Sequence, residues 1–329
     1  DLAAFKSAFY AHLNNGGAGW VCTNKAGFMH IKKAPYISAQ GNKPDTLVQQ
    51  LLDTHYPGNQ KAVEAFNKGR NAEEAIRQCH FRNDKERDDK EEIIAGYCMD
   101  FIGEKMVDTA QGRRRYLFFS GENLNHAHLM SGLDSLFVFD SVNGRDWRLL
   151  TRKEADAMGG WGWGQATRSI QWLEIGPGLW AVMSKSGFRT GGETVSSARI
   201  LYEDDGKIRH TAIPIAFNIY DDFCDPAVAD FCDNDWQDEA GAARELAKSA
   251  ALRGVLSVRR DLPPEAGFYP LQVTVDGYRG RKITGRRDNG AFVITPVQVF
   301  QRQPYLFHYD AAQQDYVMPT DFPIRFTTD

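Results

Sequence analysis

The stretch ARILYEDDGKIRHTAI, residues 198–213, carries the reading that decides the fold. Ala198–Tyr202 and Ile208–Ile213 are rich in β-branched and aromatic residues. Between them, Asp205-Gly206 supplies at least cost the positive φ angles that a type I′ hairpin turn requires. The same pattern recurs on both sides. Tyr116–Phe119, Leu136–Phe139, Ile170–Ile175 and Leu179–Met183 precede it, and Leu271–Val275, Phe292–Ile294 and Tyr305–Tyr309 follow. Asn143-Gly144, Asp276-Gly277 and Asn289-Gly290 add three hairpin signals, and Gly176-Pro177-Gly178 adds another turn. Such dipeptides flanked by strand-like runs predict antiparallel sheet over residues 113–329 and argue against a parallel α/β fold. One Ala-rich helix, near Glu239 to Leu252, interrupts the strands. A propeller is the alternative architecture, although no internal repeat supports it.

Upstream, residues 1–110 read as helical. Leu2, Phe5, Phe9 and Leu13 recur at helical spacing before Asn14-Asn15-Gly16-Gly17. Pro44 precedes Leu47, Val48, Leu51 and Leu52, a short amphipathic helix. Asn71 and Glu74 form a capping-box pattern ahead of Ala72, Ala75, Ile76 and Cys79. Beyond the charged run Asp84 to Glu92, Ile93, Ile94, Tyr97, Cys98, Phe101, Ile102 and Met106 make the cleanest helical stripe in the chain. The expected class is therefore α+β: a helical N-terminal region followed by a larger antiparallel β region with one inserted helix.

The 329 residues suggest two domains, with one large domain as the alternative. Hydrophobic residues at 42% and charged residues at 25% are those of an ordinary globular chain, which excludes disordered and collagen-like classes. No apolar stretch reaches the ~18 residues of a membrane helix, so no membrane span is expected. A net charge of −4 excludes nucleic-acid binding through bulk positive charge. The opening Asp1-Leu2-Ala3-Ala4 lacks Met, which fits removal of a leader and fits a trimmed chain equally. Five cysteines allow two disulfides, Cys79–Cys98 across a helical seam and Cys224–Cys232 within one loop, with Cys22 left over. The second would close a short loop worth roughly 2.6 kcal/mol. Both pairs favour an oxidising, periplasmic or extracellular compartment.

Three constellations carry candidate chemistry. His126-Ala127-His128 would put two imidazoles on one strand face, where zinc could be held with Asp134 or Asp140 as third ligand. The segment Asp221–Glu239 holds eight acidic residues and no Lys or Arg. Its carboxylates, Asp230, Asp233, Asp235 and Asp238 among them, could bind calcium or face a partner that is basic at the contact. Arg244 stands where an EF-hand needs Glu, so that motif fails. Arg279 and Arg281, with Lys282, Arg286 and Arg287, form the opposite charge and are the second candidate contact surface. Trp161 and Trp163, between glycines, could stack on sugars. The chain has neither a nucleophile elbow nor a phosphate-cradling loop. The leading expectation is an exported, non-enzymatic protein-binding protein, such as an envelope component, inhibitor or immunity protein, that needs no cofactor. A metal-dependent hydrolase centred on His126 and His128, and a carbohydrate-binding module using Trp161 and Trp163, are the alternatives.

Overall fold

A computed structural model describes residues 45–72, 74–83, 96–109, 112–125, 130–142, 146–157, 164–190, 193–219, 239–288 and 292–325. The chain divides into two compact units, 1–79 and 80–329.

The described part of the first unit holds helices α1 (Thr46–His55) and α2 (Gln60–Asn67). Asp45 caps α1 by accepting from Val48 N at 3.0 Å, and Asn59 caps α2 by accepting from Ala62 N at 3.1 Å. Val48, Leu51 and Leu52 bury the face expected of α1, whereas α2, which the sequence reading does not single out, buries Ala62, Val63 and Phe66. The helix expected after Asn71 does not form. Asn71 does accept from Glu74 N, as a cap would. Asn67, however, occupies both backbone groups of Ile76, donating to its oxygen and accepting from its nitrogen at 2.8 Å each. With those groups taken, no helical turn can pass Ile76. Residues 1–44, with the first expected helix and Cys22, lie outside the described residues.

The second unit is antiparallel sheet. The first sheet runs β1 (His80–Asn83), β2 (Gly96–Thr109), β3 (Gly112–Asn123), β4 (Gly132–Ser141) and β5 (Trp147–Ala157) in sequence order. The second runs from β6 (Ile170–Gly176) through β7 (Leu179–Thr190), β8 (Glu193–Asp204), β9 (Lys207–Ile219), β10 (Ala250–Val258), β11 (Leu271–Arg286) and β12 (Phe292–Asp310) to β13 (Asp315–Val317). Both are plain meanders, not repeated blades, so the propeller is set aside. Helix α3 (Glu239–Lys248) lies between β9 and β10, and the residues expected to continue it, from Ala250, begin β10.

Of the expected helix over residues 93–106, the described part from Gly96 is instead strand β2, which pairs with β3 from Tyr97 to Thr109. A bulge explains the false periodicity. Phe101 pairs with Phe119 and Gly103 with Phe118, so Ile102 is the extra residue and the alternation resets there. Phe101 and Met106 consequently share a face at a spacing no regular strand allows. Cys98 lies on β2, Cys79 immediately precedes β1, and the two form a disulfide.

Asp205 (φ 49°) and Gly206 (φ 72°) form the β8–β9 turn as expected, and Gly176-Pro177-Gly178 turns β6 into β7. Asp276-Gly277 is not a turn. It lies within β11, where Gly277 adopts φ 126° and a Cβ would stand 1.9 Å from the Ala251 oxygen. Asn143-Gly144 and Asn289-Gly290 lie outside the described residues, although the strands flanking each are paired antiparallel.

Two hydrophobic clusters among the described residues pack along the second sheet. Tyr116, Phe118, Leu136 and Val138 of the first sheet pack against Val182, Leu201 and Ile208 of the second. The other face of the second sheet encloses a larger core. There Phe268 stacks on Tyr309 of β12 at 3.8 Å and meets Tyr202 of β8 edge-on at 5.5 Å. Strands four places apart thus approach one ring, so the second sheet is curled.

Candidate functional site

At one end of the inter-sheet seam, strand register puts Ser120 of β3 directly opposite Asp134 of β4. Ser120 Oγ donates to Asp134 Oδ1 at 2.6 Å, and Thr167 Oγ1 lies 3.0 Å from Oδ2. Thr167 N donates to Ser120 Oγ at 2.7 Å, which commits the serine proton to the carboxylate. Asp134 is only 1% exposed. Burial pushes its carboxyl up to about 6, against the two hydroxyls and the charge of Arg199, which lower it. Asp100 lies opposite Ser120 on β2. Nearby, Lys153 Nζ lies 3.5 Å from His210 Nδ1. Burial and then the charges of Lys153 and Arg199 lower the His210 imidazole. Asp134 can therefore exchange a proton near neutral pH, but its burial makes it a proton-binding element of the core. The two hydroxyls come from 47 residues apart in sequence, and no local motif announces them.

The same end anchors two segments singled out from the sequence. Asn123 N donates to Gly164 O at 2.7 Å, and Gly164 N to Met130 O at 2.6 Å. The flanks of residues 126–129 and 158–163 therefore meet. His126, His128, Trp161 and Trp163 themselves lie outside the described residues. Of the acids considered as a third metal ligand, Asp134 is held by hydroxyls, whereas Asp140 pairs with Arg114 at 2.8 Å. Cys224, Cys232, Asp230, Asp233, Asp235 and Asp238 also lie outside the described residues.

A different surface is built by the β11–β12 hairpin. Ala250 opposite Arg279 is the first β10–β11 pair, and beyond it β11 continues to Arg286 with β12 alone. Helix α3 takes the place of β10 beside this arm. Gly280 N donates to Ser249 O at 2.7 Å, and Arg286 pairs with Glu239 at 2.8 Å. The two arginines expected to touch a partner are engaged within the chain. Arg279 donates to Pro323 O at 2.8 Å, and Arg281 to Ser249 Oγ at 3.0 Å.

The outer side of β12 is different. Strand β13 pairs only with His308–Asp310, so among the described residues β12 has no neighbour along this side from Phe292 to Phe307. Val297 and Val299, on the outer face, are 62% and 52% exposed. No charged residue occurs from Asn289 to Gln301. Pro296 and Pro304 require that their nitrogens face the open side, as edge prolines do. The sequence presents Phe292–Ile294 and Tyr305–Tyr309 as two strands. They are the ends of one strand of 19 residues, and the uncharged run up to Gln301 is the signal that marks this edge.

Comparison with known proteins finds no matching family model, no matching curated protein and no matching solved structure.

Proposed function

We propose that this chain is an exported protein, periplasmic or secreted, that works by binding protein through the outer edge of β12. The observation that carries this reading is an open edge strand with no charge before Arg302. An unpaired row of backbone donors and acceptors is a template for another strand, and proteins that keep such edges free guard them with charged side chains, prolines or bulges. Strand β12 carries Pro296 and Pro304 and a bulge beside Arg302 but leaves the rest of its edge uncharged. Asn289–Gln301 offers no charge, while Val297 and Val299 stand out from the adjoining face. An edge of this composition left uncovered is an aggregation hazard, so a protein occupant is its natural complement. The Cys79–Cys98 disulfide supports the compartment, because such bonds persist where thiols are not kept reduced.

Site-specific photo-crosslinking in the native compartment tests the reading. A photoreactive side chain at Val297 is expected to capture a polypeptide, and one at the exposed Val142 is the control. No adduct from Val297, Val299 or Gln301 would overturn it.

A further inference from the structure

We propose that the polypeptide paired along β12 is a second copy of this chain, related by a two-fold axis that sets the two β12 strands antiparallel. The proposal rests on reading the β12 edge as an interaction surface, and the charge distribution along the hairpin identifies the occupant. From Arg279 to Asp288 the chain carries Arg279, Arg281, Lys282, Arg286 and Arg287 against one acidic residue, Asp288. From Asn289 to Gln301 it carries no charge. From Gln303 to Ile324 it carries Asp310, Asp315 and Asp321 and neither Lys nor Arg. Arg302 is the one cation inside the strand beyond the uncharged run, and its backbone N–H is held by Asp276 at 2.8 Å. The hairpin is thus basic along β11 toward its turn end, uncharged on β12 as far as Gln301, and acidic where β13 joins it.

Only one simple arrangement uses this polarity. Parallel pairing of two such strands would set like charges together at both ends. Antiparallel pairing sets the cations of each copy beside the aspartates of the other, and the neutral middle meets itself without repulsion. The lengths agree. The open edge runs from Phe292 to Phe307 and is closed beyond by β13 at His308. An antiparallel copy centred on Phe300 fits within that window and has Ile294 beside Leu306 of the second copy. Lys282 and Arg287 then lie toward Asp310 and Asp315 across the axis. Phe300 falls close to the axis, which brings Pro296 opposite Pro304 of the second copy. The donors that the prolines lack then fall in shared positions, so the ladder is interrupted in fewer places. Pairing two copies also consumes the edge and closes the assembly, whereas an unguarded edge accepting any strand would not.

Sedimentation equilibrium on the full chain tests this. The expected species at micromolar concentration is twice the 37.0 kDa of one chain. Val297→Lys with Val299→Lys is expected to give a folded monomer with wild-type far-ultraviolet circular dichroism and a cooperative melt that no longer rises with concentration. Lys282→Glu with Arg287→Glu should weaken the dimer at least tenfold. Mixing that variant with Asp315→Lys/Asp321→Lys should restore a mixed dimer. A wild-type monomer at every concentration overturns the proposal, and so does a dimer indifferent to both sets of substitutions. If Val297 then crosslinks only to a different polypeptide, the second copy is wrong and the β12 edge stands as a binding surface. If it crosslinks to nothing, both readings fall.

Discussion

The guanidinium of Arg114 on the first sheet lies 2.7 Å from the Glu203 carboxylate on the second. Glu203 Oε1 meanwhile accepts from Gly206 N at 2.7 Å, so one nearly buried carboxylate joins the sheets and holds the β8–β9 turn. Arg114 also holds Asp140 at 2.8 Å. Arg114→Ala is expected to lower stability by about 3 kcal/mol, because it leaves two carboxylates without their cation at the seam. Urea unfolding measures this. A loss below about 1 kcal/mol would mean the bridge is no stronger than a surface pair.

The Ala251 carbonyl makes a second sharp demand. Gly277 has φ 126°, and its missing Cβ would overlap that oxygen. Gly277→Ala should cost about 3 kcal/mol, through both backbone strain and displacement of β10. Gly178→Ala, with φ 71° and nothing within 4 Å, should cost only about 1 kcal/mol. Equal melting shifts for the two variants would contradict the close-approach argument.

These positions show what the sequence made legible. Asp205-Gly206 reads correctly because an exposed I′ turn needs nothing beyond its two residues. Asp276-Gly277 has the same letters, but its glycine answers to Ala251 on another strand. The stripe ending at Met106 imitates a helix because the Ile102 bulge breaks strand alternation. Ser120, Asp134 and Thr167 meet only through the register of β3 and β4 and a later crossing segment, so no spacing could announce them. The β12 edge was present as an uncharged run, but its significance depends on β13 covering only three of its residues.

Asp134 predicts a pH dependence. Its folded pKa is raised to about 6 from 3.8, so the fold binds this proton more tightly than the unfolded chain. The stabilising contribution is full below 3.8 and is lost as pH rises to about 6. Asp134→Asn removes the charge while keeping the shape. The variant should gain on wild type across this window, by up to about 3 kcal/mol at pH 7.5. His210 is lowered and works in the opposite direction, but it is common to both proteins and cancels in the comparison. A variant less stable by the same amount at every pH would contradict the assignment.

The disulfide gives a further expectation. Cys79–Cys98 closes a loop of about twenty residues, worth about 3 kcal/mol in the chain-entropy model. Cys79→Ser with Cys98→Ser should lower the urea midpoint with little change in slope, and added reductant should then have no further effect through this pair. A double variant as stable as the oxidised wild type would contradict it.

Amide hydrogen exchange along β12 tests the central claim, that its outer edge is covered by protein, most directly. Strand alternation from Pro296 directs the amides of Ile294, Gln298 and Phe300 away from β11, whereas those of Val297 and Val299 face it. The account predicts that the first set becomes protected as protein concentration rises and loses that protection in Val297→Lys/Val299→Lys, while the second set stays protected throughout. Rapid exchange of Ile294, Gln298 and Phe300 at every concentration, beside slow exchange of Val297 and Val299, would show a folded strand with a bare edge and would contradict it.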